Sequence, residues 1–282
     1  MSLAALLADR ERAVTTGTLV LAAVLAWAYT LLTAVHADPA MNMPMAWSAA
    51  DALVVFAMWW LMMVAMMLPS AIPAILLFAA LRKSRLAVVS GRGSTLAFGA
   101  GYLAIWGMFS LGATALQWLL QSSNMLTSTL GLTQWTWGAA LLVAVGLYQI
   151  SPLKAACLSS CRAPAQMLAR FWRPGTAGAL VMGMRHGIFC LGCCAFIMLL
   201  LFFGGIMSLY WVAGLALYVA VEKLAPFGGR FSKLAGYGLI GIGLAIGAAY
   251  GTGQLSQAVK SSAYPGQRND CAARTMAAVA GL

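Results

Sequence analysis

The sequence predicts an all-α, polytopic membrane helix bundle, and three observations predict it. The 282 residues are 62% hydrophobic and only 8% charged, against about 25% charged in a soluble domain. Apolar runs long enough to cross roughly 30 Å of hydrocarbon recur along the whole chain. The basic residues collect in alternate connections between those runs, which is the positive-inside pattern of membrane proteins.

The runs lie around 17–35, 52–80, 95–120, 135–151, 187–206, 208–222 and 234–252. They read as about seven transmembrane helices. The sixth is short, so six spans with one re-entrant or tightly packed segment also fit. Residues 1–252 then form a single transmembrane domain, and 253–282 an extramembrane C-terminal tail.

The first run follows Arg10 and Arg12. Val35-His36-Ala37 before Asp38 has the small residues of a signal-peptide cleavage site. The apolar stretch is longer than a signal peptide's, so it reads as a retained anchor.

The second run carries Pro69 and Pro73 in mid-span. Each proline removes a backbone donor and crowds the preceding turn, so the second helix should be broken there. Met58, Met62 and Met66 lie at i, i+4 and i+8, with Met63 and Met67 beside them. Met is a flexible core filler, and such a stripe is ordinarily packing. A polar connection has no core to fill, however, and Met41, Met43 and Met45 alternate in one, just after His36. Thioethers there are candidate soft ligands for Cu(I).

The fourth run ends in Tyr148-Gln149-Ile150-Ser151-Pro152, and Pro152 suits the first position of a short interfacial helix. That helix would carry Cys157 and Cys161 at i, i+4. In the last run Gly243, Gly247 and Gly251 repeat every four residues, a small-residue face for close helix packing. Trp47, Trp59, Trp60, Trp118, Trp135, Trp137 and Trp211 fall near span ends and fit an aromatic belt.

Arg82, Lys83, Arg85 and Arg92 follow the second run. Lys154, Arg162, Arg170, Arg173 and Arg185 separate the fourth from the fifth. Lys223, Arg230 and Lys233 separate the sixth from the seventh, while 36–51 and 121–134 contain no Lys or Arg. This puts the N-terminus in the cytoplasm and makes 82–93 and 153–185 cytoplasmic loops. Lys260, Arg268 and Arg274 in the tail run against the pattern, but tail charges count for less than loop charges. The net charge of +11 is therefore explained by topology, with no nucleic-acid partner implied.

The fifth run opens with the densest chemistry in the chain. His186, Cys190, Cys194 and Met198 follow at i, i+4, i+8 and i+12, with Cys193 beside them. Neighbours at that spacing share a helix face. A lone buried cysteine is an ordinary small hydrophobe; an imidazole and three thiols on one face are costly in a bilayer unless something uses them. Soft sulfur and imidazole select Cu(I) or Zn. Glu222-Lys223 at the end of the sixth run reads as a local ion pair. No Walker loop, dinucleotide fingerprint or Ser-His-Asp arrangement is present, so an enzyme is the weaker reading and no catalytic residue is assigned.

Three blocks carry a family resemblance: Trp60 to Ser70; Tyr148-Gln149 through Pro152-Leu153-Lys154 to Cys157 and Cys161-Arg162; and His186-Gly187 through Cys190 and Gly192-Cys193-Cys194 to Glu222-Lys223. In these the chain resembles a bacterial family of predicted metal-binding integral membrane proteins, a domain of unknown function. The resemblance implies a multi-pass protein of the bacterial inner membrane that binds metal through Cys and His.

The leading expectation is a copper(I)-handling membrane protein for uptake, delivery or storage, with zinc as the other metal. Its ligands would be His186, Cys190, Cys193 and Cys194, completed by Cys157 and Cys161 and fed by Met41, Met43, Met45, Met58, Met62 and Met66. Its partners would be the lipid bilayer and a membrane complex or metallochaperone. A membrane thiol–disulfide oxidoreductase is the second class. Against it, thiols at i, i+4 on a regular helix stand too far apart for a disulfide. A structural subunit of a larger membrane complex is the third.

Overall fold

A computed structural model describes residues 3–36, 47–85, 93–126, 135–206 and 208–251. Among the described residues the chain is helical throughout: α1 (Leu3–His36), α2 (Ala49–Arg85), α3 (Ser94–Ser122), α4 (Trp135–Ile150), α5 (Pro152–Arg162), α6 (Pro164–Arg170), α7 (Gly175–Met198), α8 (Leu201–Gly204), α9 (Leu209–Leu224) and α10 (Gly228–Gly251). The segment Met41–Met45, Cys271 and the tail 253–282 lie outside the described residues.

The all-helical expectation holds, but the count of spans differs. Among the described residues four helices are long and apolar enough to cross a membrane: Ala49–Leu81, Ser94–Ser122, Gly175–Gly204 and Gly228–Gly251. A fifth arises if α4 and α5, bent by 62° at Ser151, count as one. The seven expected runs shrink because α4 and α9 each have 16 residues, and the apolar part of α1 is Thr16–Leu32. These lengths fall short of the 20 or so residues that a span needs.

Two local expectations are corrected. Pro69 and Pro73 lie inside one unbroken α2. The Tyr102 and Ser70 hydroxyls both donate to the Met67 carbonyl just before Pro69, at 3.2 and 2.9 Å. The real bend is at Ser151. Its side chain caps α5 by accepting from the Lys154 amide (3.2 Å), with Pro152 at the first helical position. In addition, 153–185 is no loop but holds α5, α6 and the start of α7, with Arg185 stacked on the Phe171 ring at 4.0 Å.

The start of α2 follows capping-box logic. The Ser48 amide donates to Asp51 Oδ2 (2.9 Å) and the Asp51 amide to Ser48 Oγ (3.2 Å). Two helix pairs then organise the bundle, α3 with α7 and α4 with α10. Both depend on glycine. A Cβ at Gly183 would strike the Phe98 carbonyl of α3, and one at Gly101 the Leu180 carbonyl of α7. A Cβ at Gly243 would lie 2.9 Å from the Ala139 carbonyl of α4, and Gly236 is as tightly held against Gln149. Of the expected glycine face of the last helix, Gly243 is used within the chain, Gly247 makes only an ordinary contact and Gly251 meets nothing. α2 packs on α1, α3 and α9, and α5 packs on α7.

The methionines of α2 face inward. Met62, Met63, Met66 and Met67 are buried and Met58 is half-buried. Trp59 is no belt residue. It is wholly buried and donates from Nε1 to Gln117 Oε1 at 2.7 Å.

Because backbone blocks any Cβ at Gly183, Gly183→Ala should lower stability by about 1–3 kcal/mol, the usual cost of overpacking. Gly241→Ala, in open space, should lose nothing. Thermal melts of the two variants side by side check this, and equal melting points would contradict the α3–α7 packing.

Candidate metal site

The site forms where α2, α3, α5, α7 and α9 meet. The glycines of α7 let α3 approach until Tyr102 reaches across. Its hydroxyl lies 3.1 Å from Cys190 Sγ and donates to the Met67 carbonyl. From the end of α9, Lys223 Nζ donates to Cys190 Sγ (3.0 Å) and Ser70 Oγ (3.2 Å), with Met67 Sδ at 3.8 Å. Cys190, Cys193, Cys194 and Lys223 are all buried.

The other sulfurs continue from there. Cys193 Sγ donates to the Cys190 carbonyl at 3.1 Å, as a thiol one helical turn on can do. It also lies 3.2 Å from Cys194 Sγ and 3.8 Å from Cys161 Sγ on α5. All five described cysteines are free thiols.

Not every expected ligand joins them. Cys157 packs its sulfur against Gly192, where a Cβ would come within 2.6 Å of it. His186 is buried one turn before Cys190. Its ring lies against Phe98 and Tyr102, with centroids 6.1 and 5.6 Å away, and its Nδ1 has no hydrogen-bond partner. Met62 and Met66 share the buried core with the thiols, and Met67 brings its sulfur to 3.8 Å from Lys223 Nζ. Among the described residues no group of three or more His, Cys, Asp or Glu side chains is arranged to enclose a metal ion. The arrangement is a hydrogen-bonded set of thiols with an ammonium at its edge.

Glu222-Lys223 is not a local pair. Glu222 Oε1 lies 2.7 Å from Lys154 Nζ of α5, with both side chains buried, and Lys223 turns to the thiols instead. Consecutive residues on a helix do not face each other, and that signal was available in the sequence. Tyr102 and Lys154 carried none. Lys154 reads as a loop charge, and Tyr102 as one more aromatic in an apolar run. Arg162 steadies the same corner, donating from Nη2 to the Ala225 and Pro226 carbonyls at 2.6 and 3.0 Å, just past the end of α9.

The donor chemistry suits a soft cation. Two sulfurs about 2.3 Å from one ion at a near-tetrahedral angle are about 3.8 Å apart, which matches Cys161 and Cys193 without rearrangement. The Cys193–Cys194 pair, at 3.2 Å, would have to open by several tenths of an ångström. His186 Nδ1 is the unpaired polar atom closest in sequence to these sulfurs.

A family described as a copper chaperone, PpoB2, matches residues 56–246, well over half of the chain. The chain belongs to the PpoB2 copper-chaperone family. The matched span contains the thiols of α5 and α7, His186, Tyr102, Lys154, Glu222 and Lys223. It leaves out Met41, Met43 and Met45. No curated protein and no solved structure matches the chain. Membership of PpoB2 makes its function copper-related.

Burial sets an order of thiol reactivity. Cys157 is half-buried and the three α7 thiols are buried. A small maleimide should modify Cys157 in the native protein and reach Cys190, Cys193 and Cys194 only through local opening, roughly tenfold or more slowly. Peptide mapping after timed labelling reads this out; Cys190 labelled as fast as Cys157 would contradict the packing.

Proposed function

We propose that this PpoB2 member is an integral protein of the bacterial inner membrane that binds and hands on Cu(I) through the sulfurs of α5 and α7. The observation that carries the reading is the 3.8 Å approach of Cys161 and Cys193, next to Cys190 and Cys194, in a copper-chaperone family member. The four long apolar helices and the resemblance to predicted metal-binding integral membrane proteins support the membrane part.

Cu(I) is the cargo. Soft thiolates bind it in preference to hard cations, and thiols lose their protons on binding, so uptake releases protons and weakens as pH falls. Cys193 and Cys161 would make the first contacts, with Cys190 or Cys194 as a third sulfur and His186 Nδ1 as an imidazole donor. Zn(II) would compete at the same sulfurs. Lys223 supplies a positive charge beside Cys190 that balances excess negative charge on a multi-thiolate site. Tyr102 holds Cys190 from the α3 side. The Met62, Met63, Met66 and Met67 side chains line the α2 wall, where thioethers can pass a soft ion along without holding it strongly. Met41, Met43 and Met45 would capture it before it enters. Delivery then ends on a metallochaperone or a membrane complex.

The test is Cu(I) affinity of the full chain in detergent, measured by competition with a chromophoric chelator under reducing conditions. Cys161→Ser/Cys193→Ser should weaken binding about tenfold or more, since each tenfold is only about 1.4 kcal/mol and a lost metal–sulfur bond exceeds that. Cys271→Ser should leave it unchanged. An unaltered affinity in the double variant, with its thermal melt intact, would overturn the proposal.

A further inference from the structure

A cavity of about 680 Å³ opens where α5 meets the junction of α9 and α10, and neither Cys157 nor Cys161 lines it. It falls within the size range of small-ligand pockets, about 300–1,000 Å³. Its wall carries Lys154, Arg162, Arg230 and Lys233 and no acidic side chain. Gln149, Lys154 and Ser232 line it as buried polar residues. Gln149 Nε2 is held by Tyr218 (2.6 Å), while Oε1 has no partner.

The charges are unevenly spent. Glu222 offsets Lys154, and Arg162 is engaged with two carbonyls. Arg230 and Lys233 stand three residues apart, so they share one face of α10, and both are exposed. The first turns of α5 and α10 add partial positive charge at the same mouth. Exposed apolar side chains adjoin this basic hollow: Phe227 lines it, and Leu153, Leu234 and Tyr237 are next to or one turn from residues that do. Leu153, Phe227, Leu234 and Tyr237 are 63%, 55%, 72% and 62% exposed.

We propose that this cavity holds the phosphate-bearing headgroup of an anionic phospholipid, with the acyl chains lying along Leu153, Phe227, Leu234 and Tyr237. Basic pockets between membrane helices bind such headgroups. A free phosphate ion would satisfy the cations equally, but it would leave the apolar rim without a role. The proposal rests on the membrane reading above and is independent of copper.

The experiment uses the full chain in detergent micelles doped with equal fractions of phosphatidylglycerol or phosphatidylcholine, with bound lipid counted by native mass spectrometry. The wild type should retain phosphatidylglycerol roughly tenfold over phosphatidylcholine. Arg230→Gln/Lys233→Gln should lose that preference, at about fivefold per basic residue removed. Equal retention of the two lipids by the wild type, or an undiminished preference in the variant, overturns the proposal. So does displacement of the lipid by excess inorganic phosphate, which would assign the cavity to the free ion. If the variant does not fold, the wild-type comparison of the two lipids decides. Copper content measured on the same samples separates the two readings. Lipid preference without copper binding would sink the functional proposal alone, and a chain that is soluble without detergent would sink the membrane reading itself.

Discussion

A charge buried away from water must be compensated where it lies, and the interior of this protein is built around that constraint. Lys154, Glu222 and Lys223 are all buried. Lys154 and Glu222 cancel across 2.7 Å. Lys223 is left with a hydroxyl, a thioether and a thiol as its nearest partners, and of these only the thiol can become an anion. The helix packing thus sets the Lys223 ammonium directly against the Cys190 sulfur.

The charge array can exist only because backbones come unusually close. Glycine at 101, 183 and 187 removes the side chains that would hold α3 off α7. That approach lets a tyrosine reach both a thiol on one helix and a carbonyl on another. The carbonyl belongs to Met67, two residues before Pro69. One tyrosine hydroxyl therefore ties α2 to the sulfur site.

Much of this was legible in the sequence, though at different depths. Helical spacing put Cys190, Cys193 and Cys194 close together on α7, where all three are buried, and of the glycine repeat Gly243 packs tightly against α4. Both are local patterns, and periodicity reports local patterns well. The Lys154–Glu222 pair joins residues far apart in the chain, so no spacing could reveal it. Positive-inside bookkeeping also hid Lys154, by giving every lysine near a span end the same topological duty. The span count among the described residues is lower than expected for a related reason. Hydropathy registers an apolar run, but α4 and α9 are short, and α4 continues into α5 only through a 62° turn. His186 has the helical spacing of a ligand, yet aromatic rings from α3 flank it. Neither neighbour was visible from α7 alone.

The 11 residues of α5 border both the thiols and the basic cavity. Cys157 and Cys161 meet α7 at Gly192 and Cys193. Lys154, Leu158 and Arg162, four apart, line the cavity. The helix is pinned at its start by the Ser151 cap and at its end by Arg162 on the carbonyls after α9. One short helix therefore carries both the lysine and arginine of the basic cavity and the two thiols that meet α7.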